Sequence, residues 1–113
     1  MRVLVTAGAT REYLDPVRFI TNASSGRMGC AAAGAARDAG HEVCLLLGTG
    51  AMASAPYGVE VVRFESVEEL SDGLRKRFPD CDALVMAAAV GDFRPAVRHA
   101  DKMPRSGGPV TVE

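Results

Sequence analysis

Short apolar strands alternate with helical segments along the chain, and this alternation constrains the fold more than any other feature. The first strand, Arg2–Ala7, reads RVLVTA, with apolar residues on both of its faces. Three later segments are predicted to form strands of the same kind: Glu42–Leu47, Val59–Phe64 and Asp82–Val90. Strands of this type separated by helices indicate a parallel sheet covered on both faces. The pattern therefore predicts an α/β, Rossmann-like, doubly wound domain with a mostly parallel sheet.

Two helices are predicted between these strands. The first is the alanine-rich segment Gly26–Ala39, with Ser24 and Ser25 as candidate N-caps and Gly40 just past its end. Glycine at that position is typical of helix C-termini, and serine is typical of N-caps.

The second helix is predicted to begin after Ser66 and to run to about Phe78. Ser66 and Glu69 have the spacing of a capping box, in which each side chain accepts a backbone N–H group at the helix start.

Composition excludes several classes of function. The 113 residues suit one domain, residues 1–113, and 13 basic against 14 acidic residues give no electrostatic case for nucleic acid as a partner. No apolar run reaches the roughly 18 residues that span a bilayer. The three cysteines (Cys30, Cys44 and Cys81) are widely spaced, which favours free thiols in a reducing cytoplasm and no metal site.

Two long loops follow predicted strands, at Gly8–Ser25 and Gly91–Gly108. Both loops leave the carboxyl ends of parallel strands, which lie along one edge of the sheet, so we expect the loops to meet there. Ligands of doubly wound sheets bind beyond this edge. After the second loop, Val110 and Val112 alternate with polar residues, which predicts the start of a fifth strand.

The end of the first loop carries a candidate anion site. Asn22, Ser24, Ser25 and Gly26 directly precede the first helix, whose free N–H groups would attract phosphate or carboxylate. The alternative is an ordinary capped helix, with Gly29 and Gly34 allowing close packing.

Other loop residues are weaker candidates. Arg18 suits capture of phosphate or carboxylate but could be a solvated surface residue, and Asp15 is expected to initiate a turn. Candidates for a nucleotide site follow the fourth strand: main chain open to a planar base at Ala87 and Ala88, Asp92 for a ribose, and Lys102 for a polyphosphate. A surface role is the alternative for each side chain.

Four motifs in order carry a family resemblance. They are TAGATRE at 6–12, DPVR at 15–18, ITNASSGRMG at 20–29 and AAAVGDFRP at 87–95. Together they resemble phosphopantothenoylcysteine synthetase, the C-terminal ligase domain of the bifunctional bacterial coenzyme A biosynthesis flavoprotein. The resemblance covers nearly the whole chain but only the N-terminal part of that domain, so the fold is expected to be truncated and activity of the chain alone to be low.

The resemblance implies a ligation in which CTP activates the carboxylate of 4′-phosphopantothenate as an acyl-cytidylate, which cysteine then attacks. By position, Asn22 would hold the acyl group, and Ser24, Ser25 and Gly26 would form the helix start beside it. Ala87 and Ala88 would bind the base and Asp92 the ribose. Lys102 would contact phosphate from a mobile flap and support catalysis, and Arg18 would belong to the substrate loop.

The resemblance also implies Mg²⁺ with the CTP, no tightly bound cofactor, a homodimer in the complete form, and an FMN-dependent decarboxylase as domain or partner. The flap differs from the family pattern, since Pro104 and Arg105 follow Lys102-Met103 where lysines are usual. Two alternatives stay open, an NAD(P)-binding oxidoreductase domain and a non-catalytic nucleotide-binding remnant. An oxidoreductase domain of that kind would need a tight glycine-rich first turn and an acidic residue at the end of the second strand, and this sequence has neither.

Overall fold

The computed structural model describes residues 1–104, 108–109 and 111–113. In chain order its elements are β1 (Arg2–Ala7), β2 (Arg11–Tyr13), β3 (Phe19–Thr21), α1 (Arg27–Asp38), β4 (Glu42–Gly48), β5 (Glu60–Phe64), α2 (Val67–Arg77), a 3-10 turn (Phe78–Asp80) and β6 (Ala83–Met86). The main sheet has four parallel strands in the order β5-β4-β1-β6. This confirms the predicted doubly wound sheet, whose strand order reverses between β1 and β6.

The two faces of the sheet have separate cores because side chains of a strand alternate between faces. Val5 and Leu45 pack with Ala33 of α1 on one face, whereas Leu4 and Leu46 pack with Leu70 of α2 on the other. Each helix therefore covers one face, as the two-sided apolar strands predict. Neither helix, over the part of the chain that the structure describes, is long and apolar enough to cross a membrane.

Helix termini agree only partly with the predicted caps. Ser66 accepts the N–H of Glu69 at 3.1 Å, as the capping box predicts, and Gly40 has a φ of 91° just past α1. The prediction of Ser24 or Ser25 as N-cap of α1 is wrong. The N-cap is Gly26, with a φ of 81°, and it makes no side-chain capping bond.

The segment predicted as a loop at Gly8–Ser25 contains a two-stranded antiparallel hairpin, β2–β3. With three residues a strand, it is too short to show a period in the sequence. It forms its own small sheet, separate from the main one.

The last predicted strands also differ. The strand predicted at Asp82–Val90 is shorter and lies at the sheet edge, so Val85 and Met86 are 39% and 51% exposed instead of buried. Of the predicted fifth strand, Val110 lies outside the described residues, and Val112 forms an antiparallel bridge with Pro95. Arg94 and Glu113 also exchange backbone hydrogen bonds. The described residues at the end of the chain therefore pair with the loop after β6 and not with the parallel sheet.

Candidate functional site

The two long loops meet beyond the carboxyl ends of β1 and β6, as the sequence predicts. The N–H of Ala89 donates to the carbonyl of Gly8 at 2.8 Å, and that of Thr10 donates to the carbonyl of Ala89 at 3.2 Å. A parallel bridge joins Ala9 to Ala89. The pairing of β1 with β6 thus continues into both loops, at the point where the strand order reverses.

Two buried threonines stabilise this junction through hydrogen bonds, and neither is predicted from the sequence. Thr6 is fully buried, and its Oγ1 accepts the N–H of Ala88 at 3.2 Å. Thr10 is 1% exposed, and its Oγ1 accepts the N–H of Gly91 at 2.8 Å. For Thr6 the only signal is a hydroxyl within an apolar run, which needs a partner once it is buried. Thr10 is followed by Arg11 and Glu12 and carries no such signal.

Glycines bring the start of α1 against the end of β1. A Cβ on Gly29 would lie 2.3 Å from the Cβ of Ala7, and one on Gly26 would lie 3.4 Å from the nitrogen of Gly8. Gly29 therefore allows the close approach that the sequence predicts. Gly34 instead faces Pro56 at an ordinary contact distance of 3.6 Å, so it packs against neither a strand nor the site.

The N-terminus of α1 retains hydrogen-bonding capacity. The N–H of Arg27 donates to Oγ of Ser25 at 3.3 Å. In the described part of the chain, the N–H groups of Met28 and Gly29 have no acceptor. Asn22 is exposed between β3 and this terminus. The region thus offers backbone donors, a helix dipole and a side-chain amide, a combination that suits an anionic ligand.

At Ala87 and Ala88 the structure corrects the expectation of unobstructed backbone groups. The N–H of Ala87 donates to the carbonyl of Thr6, and that of Ala88 donates to the Thr6 hydroxyl. A ligand beside these residues would therefore meet carbonyl oxygens, which accept hydrogen bonds from an amino group.

The hairpin β2–β3 is anchored at its base. Oε1 of Glu12 accepts the N–H of Val67 at the start of α2 at 2.9 Å, and the hydroxyl of Thr21 donates to the carbonyl of Thr10 at 2.7 Å. Tyr13 and Phe19 pair across the strands, with ring centroids 5.4 Å apart. These contacts hold the hairpin to both the sheet and α2.

At the tip of the hairpin, Asp15 is fully buried and accepts several hydrogen bonds. Its Oδ1 accepts the N–H groups of Val17 and Arg18 at 2.8 and 2.7 Å, which forms the predicted turn. Its Oδ2 accepts the N–H of Met103 at 2.9 Å and the Arg18 guanidinium at 3.1 Å. Led by the Met103 bond, these contacts lower the pKa of Asp15 to about 2, although burial acts in the opposite direction.

This arrangement places two of the predicted site residues at the hairpin tip. Nη1 of Arg18 also donates to the carbonyl of Met103 at 3.0 Å, so the flap is bonded on both sides of its main chain. Lys102 is exposed beside Met103, and Arg105 lies outside the described residues. Arg18 and Asn22 lie four residues apart along β3, roughly 13 Å. The structure therefore bonds Arg18 to Met103, the residue next to Lys102.

Asp92 is exposed and lines an open groove of about 1090 Å³ between the hairpin, the start of α2 and the segment after β6. Tyr13 and Phe93 also line this groove, whereas Asn22, Arg18 and Lys102 do not. In the part of the chain that the structure describes, no cluster of three or more histidine, cysteine, aspartate or glutamate residues could hold a metal ion.

Several known proteins resemble this chain in sequence and in overall fold. A family model described as "DNA/pantothenate metabolism flavoprotein C-terminal domain" matches residues 1–113. The coenzyme A biosynthesis bifunctional protein CoaBC of Mycobacterium bovis is 50% identical over 113 residues, covering 99% of this chain and 27% of that protein. A cysteine/cysteine sulfinic acid decarboxylase from an unknown prokaryotic organism is 40% identical over 111 residues, covering 98% and 31% respectively.

Among solved structures, the C-terminal domain of a coenzyme A biosynthesis bifunctional protein CoaBC matches with a TM-score of 0.84 and 38% identity. The match covers 99% of this chain and 52% of that chain. The chain thus spans about half of that solved domain and about a quarter to a third of the two curated relatives.

Proposed function

Because the chain belongs to the DNA/pantothenate metabolism flavoprotein C-terminal domain family, we propose that it carries part of a ligase active site. The proposed reaction joins 4′-phosphopantothenate to cysteine in coenzyme A biosynthesis. CTP activates the carboxylate as an acyl-cytidylate with release of pyrophosphate, and the cysteine amine then displaces CMP. Magnesium enters with the nucleotide as part of the substrate.

The observation that carries this proposal is the convergence of two ligand-binding segments on Gly8. The helix start at Gly26 packs against Gly8, and Ala89 bonds to its carbonyl. An anhydride between a carboxylate and a nucleotide needs donors for its phosphate and acceptors for its base within one ligand length. The first set comes from α1, and the second comes from the segment after β6.

This placement supports the residue roles that the family resemblance implies. The free N–H groups at Met28 and Gly29 bind the phosphate of the acyl-cytidylate, and the Asn22 amide orients its acyl group. Ser24, Ser25 and Gly26 form the helix start that presents these donors. Fixed backbone donors of this kind stabilise charge without reorganisation during the reaction.

The base and the sugar are assigned to the other segment. The carbonyls of Ala87 and Ala88 accept from the exocyclic amino group of cytosine, and Asp92 accepts from the ribose hydroxyls. Lys102 contributes positive charge to a phosphate from the flap. A homodimer and a flavin-dependent decarboxylase partner belong to the same proposal, as does a cytoplasmic location.

The hairpin suits the shape of the acid substrate. 4′-Phosphopantothenate carries a phosphate and a carboxylate at opposite ends of an extended chain. Arg18 and Asn22 stand at opposite ends of β3, with a guanidinium for the phosphate and an amide for the acyl group. Substrate lying along β3 would present its carboxylate at the start of α1.

Two observations disfavour other activities. The connection from β1 to α1 contains a hairpin in place of the tight turn of a dinucleotide site, and β4 ends in Leu47-Gly48 without an acidic residue. The relative named as a decarboxylase shares this segment over 31% of its length, so its name alone assigns no activity to the segment.

The test is formation of the acyl-cytidylate from 4′-phosphopantothenate and CTP with Mg²⁺ in an extended, active form of the protein that contains this chain, followed by mass spectrometry. We expect a signal that requires both substrates and disappears in Asn22→Ala. Ser54→Ala, at an exposed position in the loop after β4, is the control that keeps the signal. Equal signals from the Asn22→Ala variant and the unchanged chain would remove Asn22 from the mechanism. A signal independent of phosphopantothenate would overturn the proposed reaction.

A further inference from the structure

One buried carboxylate connects two distant parts of the chain at the hairpin tip. The turn itself requires only Oδ1 of Asp15, which accepts from Val17 and Arg18. Oδ2 has a separate set of partners, the N–H of Met103 and the guanidinium of Arg18. A turn-forming aspartate needs neither burial nor a partner 88 residues away. Oδ2 is therefore not needed for the turn, and its role is to bind the flap and the Arg18 guanidinium.

The support for this carboxylate is firm because the hairpin is bonded at its base to two elements. Glu12 binds the start of α2, and Thr21 binds the loop after β1. The segment that leads into the flap is also bonded to the tip, by the N–H of His99, which donates to the carbonyl of Leu14 at 2.8 Å. The groups that Asp15 binds, the Arg18 guanidinium and the Met103 N–H, are therefore fixed relative to the main sheet.

The direction of the Arg18 guanidinium is determined by the same contacts. Nη1 donates both to Oδ2 of Asp15 and to the carbonyl of Met103. Nη2 and Nε make no hydrogen bond among the described residues, and the side chain is 38% exposed. A guanidinium fixed through one nitrogen, with its other donors open to solvent, is prepared to bind a phosphate.

We propose that Asp15 is a positioning residue: it orients Arg18 toward the phosphate of the acid substrate and ties the flap beside Lys102 to the hairpin tip. The identity of the phosphorylated ligand rests on the proposed function, whereas the tie between Asp15 and the flap does not. Asp15 itself touches no substrate, because it is fully buried beneath its partners.

Asp15→Asn separates the two roles of the carboxylate. The amide oxygen can still accept from Val17 and Arg18 and so keep the turn. The amide nitrogen, in place of Oδ2, is a donor that faces the donors of Met103 and Arg18. Asp15→Ser, whose hydroxyl also supports turns, is the second variant. Asp38→Asn is the matched control, because its carboxylate is exposed and, among the described residues, pairs only with Arg37 on α1.

The first readout is amide hydrogen exchange, which needs no ligand. We expect Asp15→Asn to accelerate exchange at the Met103 amide by about tenfold or more, from loss of a hydrogen bond to a charged group. The Leu45 amide, in the core strand β4, reports global opening and should change far less. Asp38→Asn should leave both amides unchanged. Equal acceleration at Met103 and Leu45 in both Asp15 variants would overturn the tie to the flap.

The second readout compares 4′-phosphopantothenate with pantothenate, which lacks the phosphate, by calorimetric titration. We expect the preference for the phosphorylated compound to fall about tenfold or more in Asp15→Asn and Arg18→Ala, with no further loss in the double variant. A purely structural role would weaken both compounds alike, and that result would overturn the positioning role. If the unchanged chain showed no preference for the phosphorylated compound, the proposed substrate would be wrong. The hydrogen-exchange result would still show whether Asp15 holds the flap at the hairpin tip.

Discussion

At the scale of single residues, the sequence could predict roles that depend on backbone chemistry more readily than roles that depend on distant partners. Gly29 was predicted to allow close packing, and its Cα lies against β1. Asp15 was predicted to initiate a turn, which it does. Its bond to Met103, 88 residues away, could not be predicted because no local pattern marks it.

Two glycines of α1 provide a matched test of the packing. Gly29→Ala should destabilise the protein by about 1–3 kcal/mol, since the new Cβ would overlap Ala7 and the backbone of Thr6. Gly34→Ala, whose Cβ would meet Pro56 and the end of the Arg37 side chain at ordinary distances of 3.6–4.0 Å, should gain about 0.5–1 kcal/mol from helix propensity. Urea denaturation measures both, and equal effects of the two substitutions would contradict the close approach of α1 to β1.

The pKa of Asp15 predicts a specific dependence of stability on pH. Because the folded pKa of about 2 lies below the ordinary value of 3.8, the charged carboxylate stabilises the fold fully above about pH 4. That contribution is lost as the pH falls through 2. The melting temperature of the unchanged chain should therefore exceed that of Asp15→Asn at pH 5, and the difference should shrink toward pH 2. A constant difference across this range would show that the charge of Asp15 is not involved.

At the scale of elements, long periodic segments were predicted well, and short or exposed ones were not. Both helices and the strands β1, β4 and β5 were predicted to within about one residue at most ends. The hairpin β2–β3 was missed because its stability comes from anchoring to the sheet and α2, as at Glu12, and not from its own pattern. β6 was predicted as buried because its apolar composition does not reveal that it lies at the sheet edge.

The capping box of α2 offers a prediction at this scale. Ser66→Ala should cost about 1 kcal/mol, because the N–H of Glu69 loses its acceptor at the helix start. Ser71→Ala, within the same helix, should be neutral or slightly stabilising, since alanine has the higher helix propensity. Thermal unfolding of the two variants makes the comparison. A loss of stability confined to Ser71→Ala would contradict the assigned cap.

At the scale of the whole molecule, strand alternation alone predicts the doubly wound sheet, and the sheet in turn brings two of the candidate segments together. The helix start and the segment after β6 share Gly8, as the position of the strand-order reversal requires. Lys102 and Arg18 instead lie at the hairpin tip, an arrangement that depends on side-chain contacts and so could not follow from topology. The candidate site is thus an extended surface from the sheet edge along β3.

The central claim is that this surface binds the nucleotide of a ligase and not a dinucleotide cofactor. Thermal unfolding with equal concentrations of CTP plus Mg²⁺ or NADPH tests it most directly, because a ligand that binds the folded state raises the melting temperature with its affinity. We expect CTP with Mg²⁺ to raise the midpoint more than NADPH does. Equal shifts, or a larger shift with NADPH, would contradict the account.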